Sequence, residues 1–332
     1  MEGHHQVRQR QWTEVGVVLL PGAVGGSMRL VRRVLTAVSA LAITAAMAGC
    51  TDAVPVTYSE QASGDVLRIQ VGGEGYRDVL EHVARNHLAG DLKLELVDAA
   101  PDANTQVAEG KSDLAFYQTQ PAFLGNQQAD DHSTLSIAAK VDVAPYALYS
   151  SKWKDLKPTE DWINTNLVAD KITGTSLPHG AEVAVPETKA GFARSLYLLQ
   201  TVDLVRLDRP FGGLSVADLS VSDANVLESQ RHLAIRGIDF AEYAKDIYHN
   251  YDAVVLDPTT ASAIGLVPAT DALAIEPGPG NPYSRVLVAP ARLAGDARVT
   301  ALAHALEGKE IAQYLTTTYR GKFISAQVPF EP

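Results

Sequence analysis

From Val66 onward, short apolar runs alternate with amphipathic segments along the chain. Val66-Leu-Arg-Ile-Gln-Val71 alternates as a strand and is closed by Gly72-Gly73-Glu74-Gly75. Val79, Leu80, Val83 and Leu88 then fall at helical spacing over 76–89, with Gly90 as the stop. Leu92 to Val97 reads as a second strand, 102–109 as a short helix, and Asp113 to Gln118 as a third strand. Two further strands are expected near 135–141 and 145–150, before a Lys/Asp/Pro-rich segment at 152–161. A second set opens with a strand at Ala181–Pro186 and a helix over 189–201. Strands near 232–236 and 252–256, a short helix at Thr259–Gly265 and strands near 271–276 and 285–289 follow. Helical spacing over 296–319 ends the pattern.

This succession of strand, helix and strand predicts an α/β fold with open, mostly parallel sheets. Two sets of elements imply two lobes, with a ligand cleft beyond the strand ends. The expected division is 66–147 for the first lobe, 148–268 for the second, and 269–332 for a return to the first with C-terminal helices.

The N-terminal part obeys different rules. Arg29, Arg32 and Arg33 precede an uncharged run from Val34 to Met47, and small residues lead into Cys50. A basic start, a short apolar stretch and small residues before a cleavage point describe a secretory signal. The run is shorter than the roughly 18 residues a spanning helix needs. Met47-Ala48-Gly49-Cys50 resembles the bacterial lipobox, which implies that Cys50 is lipidated and becomes the mature N-terminus. Residues 1–27 precede a second start at Met28 and read as an over-extended N-terminus. Residues 51–65, polar and Pro/Ser/Gly-bearing, read as a flexible tether.

Composition then removes several function classes. The chain has 332 residues, 46% hydrophobic and 20% charged, which is globular rather than disordered or fibrous. Without residues 1–50, which hold five Arg and two Glu, 23 basic residues face 37 acidic ones, a net of −14. Such a balance argues against a nucleic-acid partner, which needs a basic face. One Cys excludes an internal disulfide and a multi-Cys zinc site. Neither H-E-x-x-H nor G-x-S-x-G occurs, and nothing nominates a catalytic triad. The glycines at 72–75 lack both the G-x-G-x-x-G pattern and a G-K-[ST] ending, so no nucleotide, metal or other cofactor is expected.

Several blocks, in order, resemble the methionine-uptake, NlpA-type lipoproteins, the substrate-binding components of bacterial ABC importers. They are Val107-Ala-Glu-Gly-Lys-Ser-Asp113-Leu-Ala-Phe-Tyr-Gln118-Thr-Gln-Pro121, then Pro145-Tyr-Ala-Leu-Tyr-Ser-Ser-Lys152, then Val185-Pro186 through Arg194 to Leu199. Asp252-Ala-Val-Val-Leu, Asn281-Pro-Tyr283 and Thr318-Tyr-Arg-Gly321 continue the series, so the likeness covers about 66–330. It implies a two-lobed, type II periplasmic-binding fold that clamps an amino acid and delivers it to a permease and ATPase complex. It also implies no enzymatic activity and a place on the extracytoplasmic face of the cell membrane, held by lipid on Cys50. The family's binding His aligns with Thr119, its following Tyr with Ala122, and the Asn before its binding Arg with Gly191. Its "N-G-N-Y" aligns with Asp257-Pro258-Thr259-Thr260.

The ligand-binding candidates are therefore Arg194, Asp257, Phe116, Tyr117, Thr119, Thr259, Tyr76 and Tyr283. Arg194, on an otherwise apolar stretch of helix, can offer two parallel N–H donors to a ligand carboxylate; the alternative is an ordinary structural ion pair. Asp257 can meet a ligand ammonium, or it can cap the helix that follows. Phe116, Tyr117 and Phe123 can form an apolar wall, with Tyr76 and Tyr283 near its mouth, or they can be core. A different class of reading, an envelope lipoprotein that keeps this fold for protein interaction, stays open alongside solute binding.

Overall fold

The computed structural model describes residues 65–88, 92–129, 133–157, 176–241 and 243–331. Cys50, the signal segment, residues 51–64 of the tether and the helix stop at Gly90 lie outside the described residues. Two sheets organise the rest. The first half of the chain contributes β1 (Val66–Val71), α1 (Tyr76–Asn86), β2 (Lys93–Asp98), α2 (Ala103–Ala108), β3 (Leu114–Thr119), α3 (Gln120–Ala129), β4 (Leu135–Val143) and β5 (Ala147–Tyr149). The middle supplies β6 (Glu182–Pro186), α4 (Lys189–Thr201), β7 (Val205–Leu207), β8 (Val226–Ser229), β9 (Ala234–Ile238), α5 (Ala244–Asn250), β10 (Ala253–Leu256) and α6 (Pro258–Ala263). The chain closes with α7 (Pro268–Asp271), β11 (Ala272–Ile275), β12 (Arg285–Pro290), α8 (Ala297–Glu307), α9 (Lys309–Tyr319) and β13 (Ile324–Ser325).

The first sheet has the order β13-β4-β12-β3-β1-β2 and the second β11-β5-β10-β6-β9. The period-two alternation of their strands places a core on each face. In β3, Leu114 and Phe116 enter one cluster with α1, α8 and α9, while Ala115 enters another with Val107 and Phe123. In β10, Ala253 and Val255 pack with the α4 residues Leu196 and Leu199, while Val254 and Leu256 face the other way. Strands covered on both faces lose the polar half of the alternation, which is why β10 and β12 are buried at every position.

The expectation of mostly parallel sheets needs correction. Pairs β1–β2, β1–β3, β6–β9 and β6–β10 are parallel, but β5, β11, β12 and β13 all join antiparallel. The crossings explain the mixture. The chain leaves the first sheet after Val143 and enters the second at Ala147, then leaves at Ile275 and re-enters at Arg285. Strands entering through a crossing, β5 and β12, oppose neighbouring strands delivered by β-α-β returns. Because β11 still belongs to the second sheet, the return comes after it rather than at residue 269.

Local chemistry sets the helix ends. The helical pattern over 296–319 is two helices, broken at Gly308. Asp296 caps the first by accepting from Arg298 N at 2.9 Å. Thr188 caps α4 by accepting from Gly191 N at 3.2 Å. Gly191 seats that helix on β6, since a Cβ there would stand 2.6 Å from Pro186 Cβ. The position aligned with the family Asn thus has no room for a larger residue unless the helix shifts.

Candidate functional site

A cavity of about 350 Å³ lies between the two sheets, at the crossings. The first lobe contributes Glu74, Tyr76, Thr119, Arg285, Lys322 and Phe323 to its wall. The second contributes Arg194, Asp257, Pro258 and Thr259, and the crossings supply Ala144, Tyr146 and Tyr283. Six of the eight residues expected to bind ligand are therefore brought together: Arg194, Asp257, Thr119, Thr259, Tyr76 and Tyr283. Phe116 is not on the wall. It is fully buried, with its ring edge-on to Tyr76 at 4.9 Å, so it backs the wall instead of forming it. Tyr117 points to the opposite face of the sheet, among the cluster around Val107, as period two requires. Phe123 joins it there.

Arg194 sits on the first half of α4, and both alternatives for it meet in one place. Its Nε donates to Glu276 Oε1 at 3.0 Å, its Nη2 donates to Glu276 Oε2, and Nη2 also donates to Ala144 O at 2.9 Å. The guanidinium lies between the rings of Tyr146, at 4.0 Å, and Tyr283, at 4.6 Å. A planar cation stacked on two aromatic faces is held in orientation as well as neutralised. Burial opposes its charge, yet the carboxylate of Glu276 more than offsets this and holds its pKa above the ordinary value. Burial raises the Tyr146 and Tyr283 phenols, against the pull of Arg194.

Glu276, with its side chain fully buried, ties the two crossings together. Its Oε2 accepts from Tyr146 N at 2.9 Å, and its own N donates to Tyr146 O at 2.9 Å. Arg194 is thus the bolt of the crossings, and among the described residues these bonds engage its Nε and Nη2 but not its Nη1.

Asp257 is the helix cap. It accepts from Thr259 N at 2.8 Å and Thr260 N at 3.1 Å through Oδ1, and from Thr260 Oγ1 at 2.5 Å through Oδ2. Pro258 at the first helical position completes the motif. The carboxylate still lines the cavity and keeps acceptor capacity beyond these bonds.

A second arginine was not among the candidates. Arg285 opens β12 and is 3% exposed. It donates from Nε to Asp142 Oδ1 and from Nη1 to Glu74 O at 3.3 Å. Its guanidinium lies between the rings of Tyr76, at 4.1 Å, and Phe323, at 4.2 Å. Burial pushes the Asp142 carboxyl up, against the pull of Arg285. Burial likewise pushes the Tyr76 phenol up to about 12, with Arg285 opposing. Gly75 makes the stack possible: its φ is +79°, and a Cβ would meet Phe323 Cε2 at 2.6 Å. At the mouth, Lys322 Nζ pairs with Glu74 Oε1 at 2.6 Å. One signal for this group lay in the sequence. Arg285 opens an otherwise apolar strand and Asp142 sits between two valines near the end of its own, and buried charges require partners.

Among the described residues, no group of three or more His, Cys, Asp or Glu could hold a metal ion. Among them, too, no helix is long and apolar enough to cross a membrane.

Comparison with known proteins decides the family. A family model described as NlpA lipoprotein matches residues 73–163 and 167–327, which together are well over half of the chain. The chain belongs to the NlpA lipoprotein family. The D-methionine-binding lipoprotein MetQ of Salmonella typhi is 28% identical over 262 residues, covering 77% of this chain and 84% of that protein. The membrane lipoprotein TpN32 of Treponema pallidum is 24% identical over 270 residues, covering 81% and 91% of the two chains. The crystal structure of lipoprotein Tp32 from Treponema pallidum superposes with a TM-score of 0.50 at 25% identity, covering 79% of this chain and 99% of that one. The NlpA family is one of substrate-binding, membrane-associated lipoproteins and not of enzymes. The two-lobed α/β fold read from the sequence is the fold of this family.

Proposed function

We propose that this chain is the solute-binding component of an ABC importer. It captures a small amino acid or related zwitterion between its lobes and delivers it to a permease and ATPase complex. The observation that carries the reading is the interlobe cavity of about 350 Å³, walled by both lobes and the crossings that join them. Its size falls in the range of about 300–1,000 Å³ typical of small-molecule sites. In this reading Arg194 Nη1 donates to the ligand carboxylate, while Asp257, on the same lobe, accepts from the ammonium. Thr119, Thr259, Tyr76 and Tyr283 complete the wall. The family relatives named as D-methionine-binding support the amino-acid class. Lipid on Cys50 holds the protein at the extracytoplasmic face of the membrane, with the chain from Thr51 to Asp65 as tether. Neither nucleic acid nor a cofactor takes part.

Thermal unfolding against a panel of amino acids tests this. A ligand at a hundred times its dissociation constant stabilises the fold by about 2.7 kcal/mol. One or more α-amino acids are expected to do so, and Asp257→Asn is expected to weaken that binding at least several-fold. Stabilisation by none of them would instead favour the interaction-lipoprotein reading.

A further inference from the structure

Two histidines meet at the end of α1 that lies away from the cavity. On an ideal helix, residues five apart are turned by about 140° from one another and do not share a face. His82 and His87 come together because α1 stops at Asn86. The His87 N–H still donates to Val83 O at 2.9 Å, but the backbone then leaves the helix, and Leu88 packs onto the core of the first sheet. The two Nε2 atoms stand 3.3 Å apart and the ring centroids 5.3 Å. Nitrogens so much closer than the centroids mean that each ring turns its Nε2 edge toward the other. Both residues are half-buried, so solvent reaches the pair.

The spacing is that of two ligands on one tetrahedral ion. Imidazole nitrogens at about 2.0–2.1 Å from zinc, at the tetrahedral angle, stand about 3.3–3.4 Å apart. One ring is already held in place: His82 lies stacked on Tyr314 of α9, with centroids 3.7 Å apart and planes 17° apart. Burial, with His87 and Arg85 beside it, keeps the pKa of His82 below its ordinary value, which favours the uncharged imidazole that a metal requires. The Asn86 amide reaches His82 Nδ1 at 3.4 Å. Turned over, that amide accepts from an Nδ1 proton through its oxygen and leaves Nε2 as the ligand. The charge of Arg85 is met by Glu81 at 3.4 Å, and the acidic balance of the body draws cations to the surface. The same 3.3 Å also suits a hydrogen bond from one ring to the other, and the two readings differ in what zinc does to the pair.

We propose that His82 and His87 form a zinc-binding site on the first lobe, separate from the cleft. No third protein ligand joins them among the described residues, so water fills the remaining positions of the tetrahedron. Two protein ligands make an open, exchangeable site instead of a closed structural one. Tyr76, on the cavity wall, begins α1, and the helix carries the pair roughly 9–16 Å along its axis from there. The ion and a solute in the cleft therefore do not share a site.

The test is isothermal titration of the full-length chain in detergent with Zn2+, in a background of His4→Ala and His5→Ala so that those adjacent imidazoles do not compete. His82→Gln and His87→Gln are each expected to weaken zinc binding at least about ten-fold, because the second imidazole acts at the effective concentration of a tethered ligand. Once one imidazole is gone the chelate is gone, so the double variant is expected to bind only slightly more weakly than either single one. His87→Gln leaves the stack of His82 on Tyr314 in place, so it reports on the ion even where His82→Gln loosens the contact between α1 and α9. Ions held elsewhere on the chain do not alter the comparison, since the loss in each variant is what is read. Zinc affinity unchanged in either single variant would overturn the proposal and leave a hydrogen-bonded pair. Losses that simply multiply in the double variant would overturn it too, since they would mean two independent imidazoles.

Discussion

The cleft holds two arginines built from the same parts, and they differ in one respect. Arg285 is buried and Arg194 largely so, each lies against two aromatic rings, and each has a carboxylate behind it whose side chain is fully buried. Around Arg194 both oxygens of the carboxylate are used: Glu276 takes Nε and Nη2, and Ala144 O takes Nη2 again, so that only Nη1 is left over. Around Arg285 it is half open, with one donor and one acceptor left unpaired. A closed pair spends its directional bonding on structure, here on holding two crossings at a fixed separation. A half-open pair keeps bonding capacity in reserve. The same parts are thus bonded differently in the two places, and the number of satisfied carboxylate oxygens distinguishes them.

The largest effect that could break the comparison comes from removing the carboxylate behind Arg285. Asp142→Ala leaves the Arg285 charge buried and without its counter-ion, which costs about 3–5 kcal/mol of stability. Denaturant unfolding measures this, and a loss below about 1 kcal/mol would mean that the pair does not hold a charge in the dry interior. A smaller loss is expected at the joint. Glu276→Gln keeps an acceptor for Arg194 and leaves the Ala144 bond in place, so the cost is about 1–3 kcal/mol. Its signature is a change in the separation of the lobes, read by small-angle scattering, which Asp142→Ala does not share.

The smallest effect sharpens the contrast between the rings. The Tyr76 phenol, ordinarily at 10.0, is pushed up to about 12 by burial. A folded-state value above the unfolded one means that the neutral form is favoured in the fold. Its contribution to stability is therefore intact below pH 10 and is lost as pH rises through about 12. Alkaline unfolding of Tyr76→Phe should lose less stability than the wild type over that window. Equal losses would place the titration elsewhere.

Much of the fold was legible because it is written in local periodicities. The alternation in β1, the apolar spacing of α1 and α4, and the Asp-Pro start of α6 each report on residues within a turn or two of themselves. Several elements were not legible. The β7–β8 pair joins Val205 to Ser229, and its strands are too short to carry a clear alternation, with β8 half exposed as well. Helix α3 has apolar residues without a dominant face, so its period is weak. The mixed direction of the sheets depends on where the chain crosses between lobes, and no local pattern encodes that.

The site divides along the same line. Arg194, Asp257, Thr119 and Thr259 were reachable because they occupy positions of a resemblance carried by ordered blocks. Their working states were not reachable. Whether Arg194 faces a ligand or a carboxylate depends on Glu276, which is 82 residues away along the chain. Whether Phe116 lines the cavity or backs it depends on Tyr76 lying across it.

By itself, then, the sequence determined the lobes, the helix caps, the family and an acidic body following a lone Cys50, because each rests on composition, short-range spacing or ordered motifs. Only the tertiary structure decided which charges are paired. Arg285 and Asp142 are 143 residues apart in sequence and neighbours on adjacent strands in space. An ion pair in a dry interior is set by the register of those strands and by the rings packed on either side of it. Pairing across such a distance follows from burial of the whole sheet, and no stretch of chain contains it.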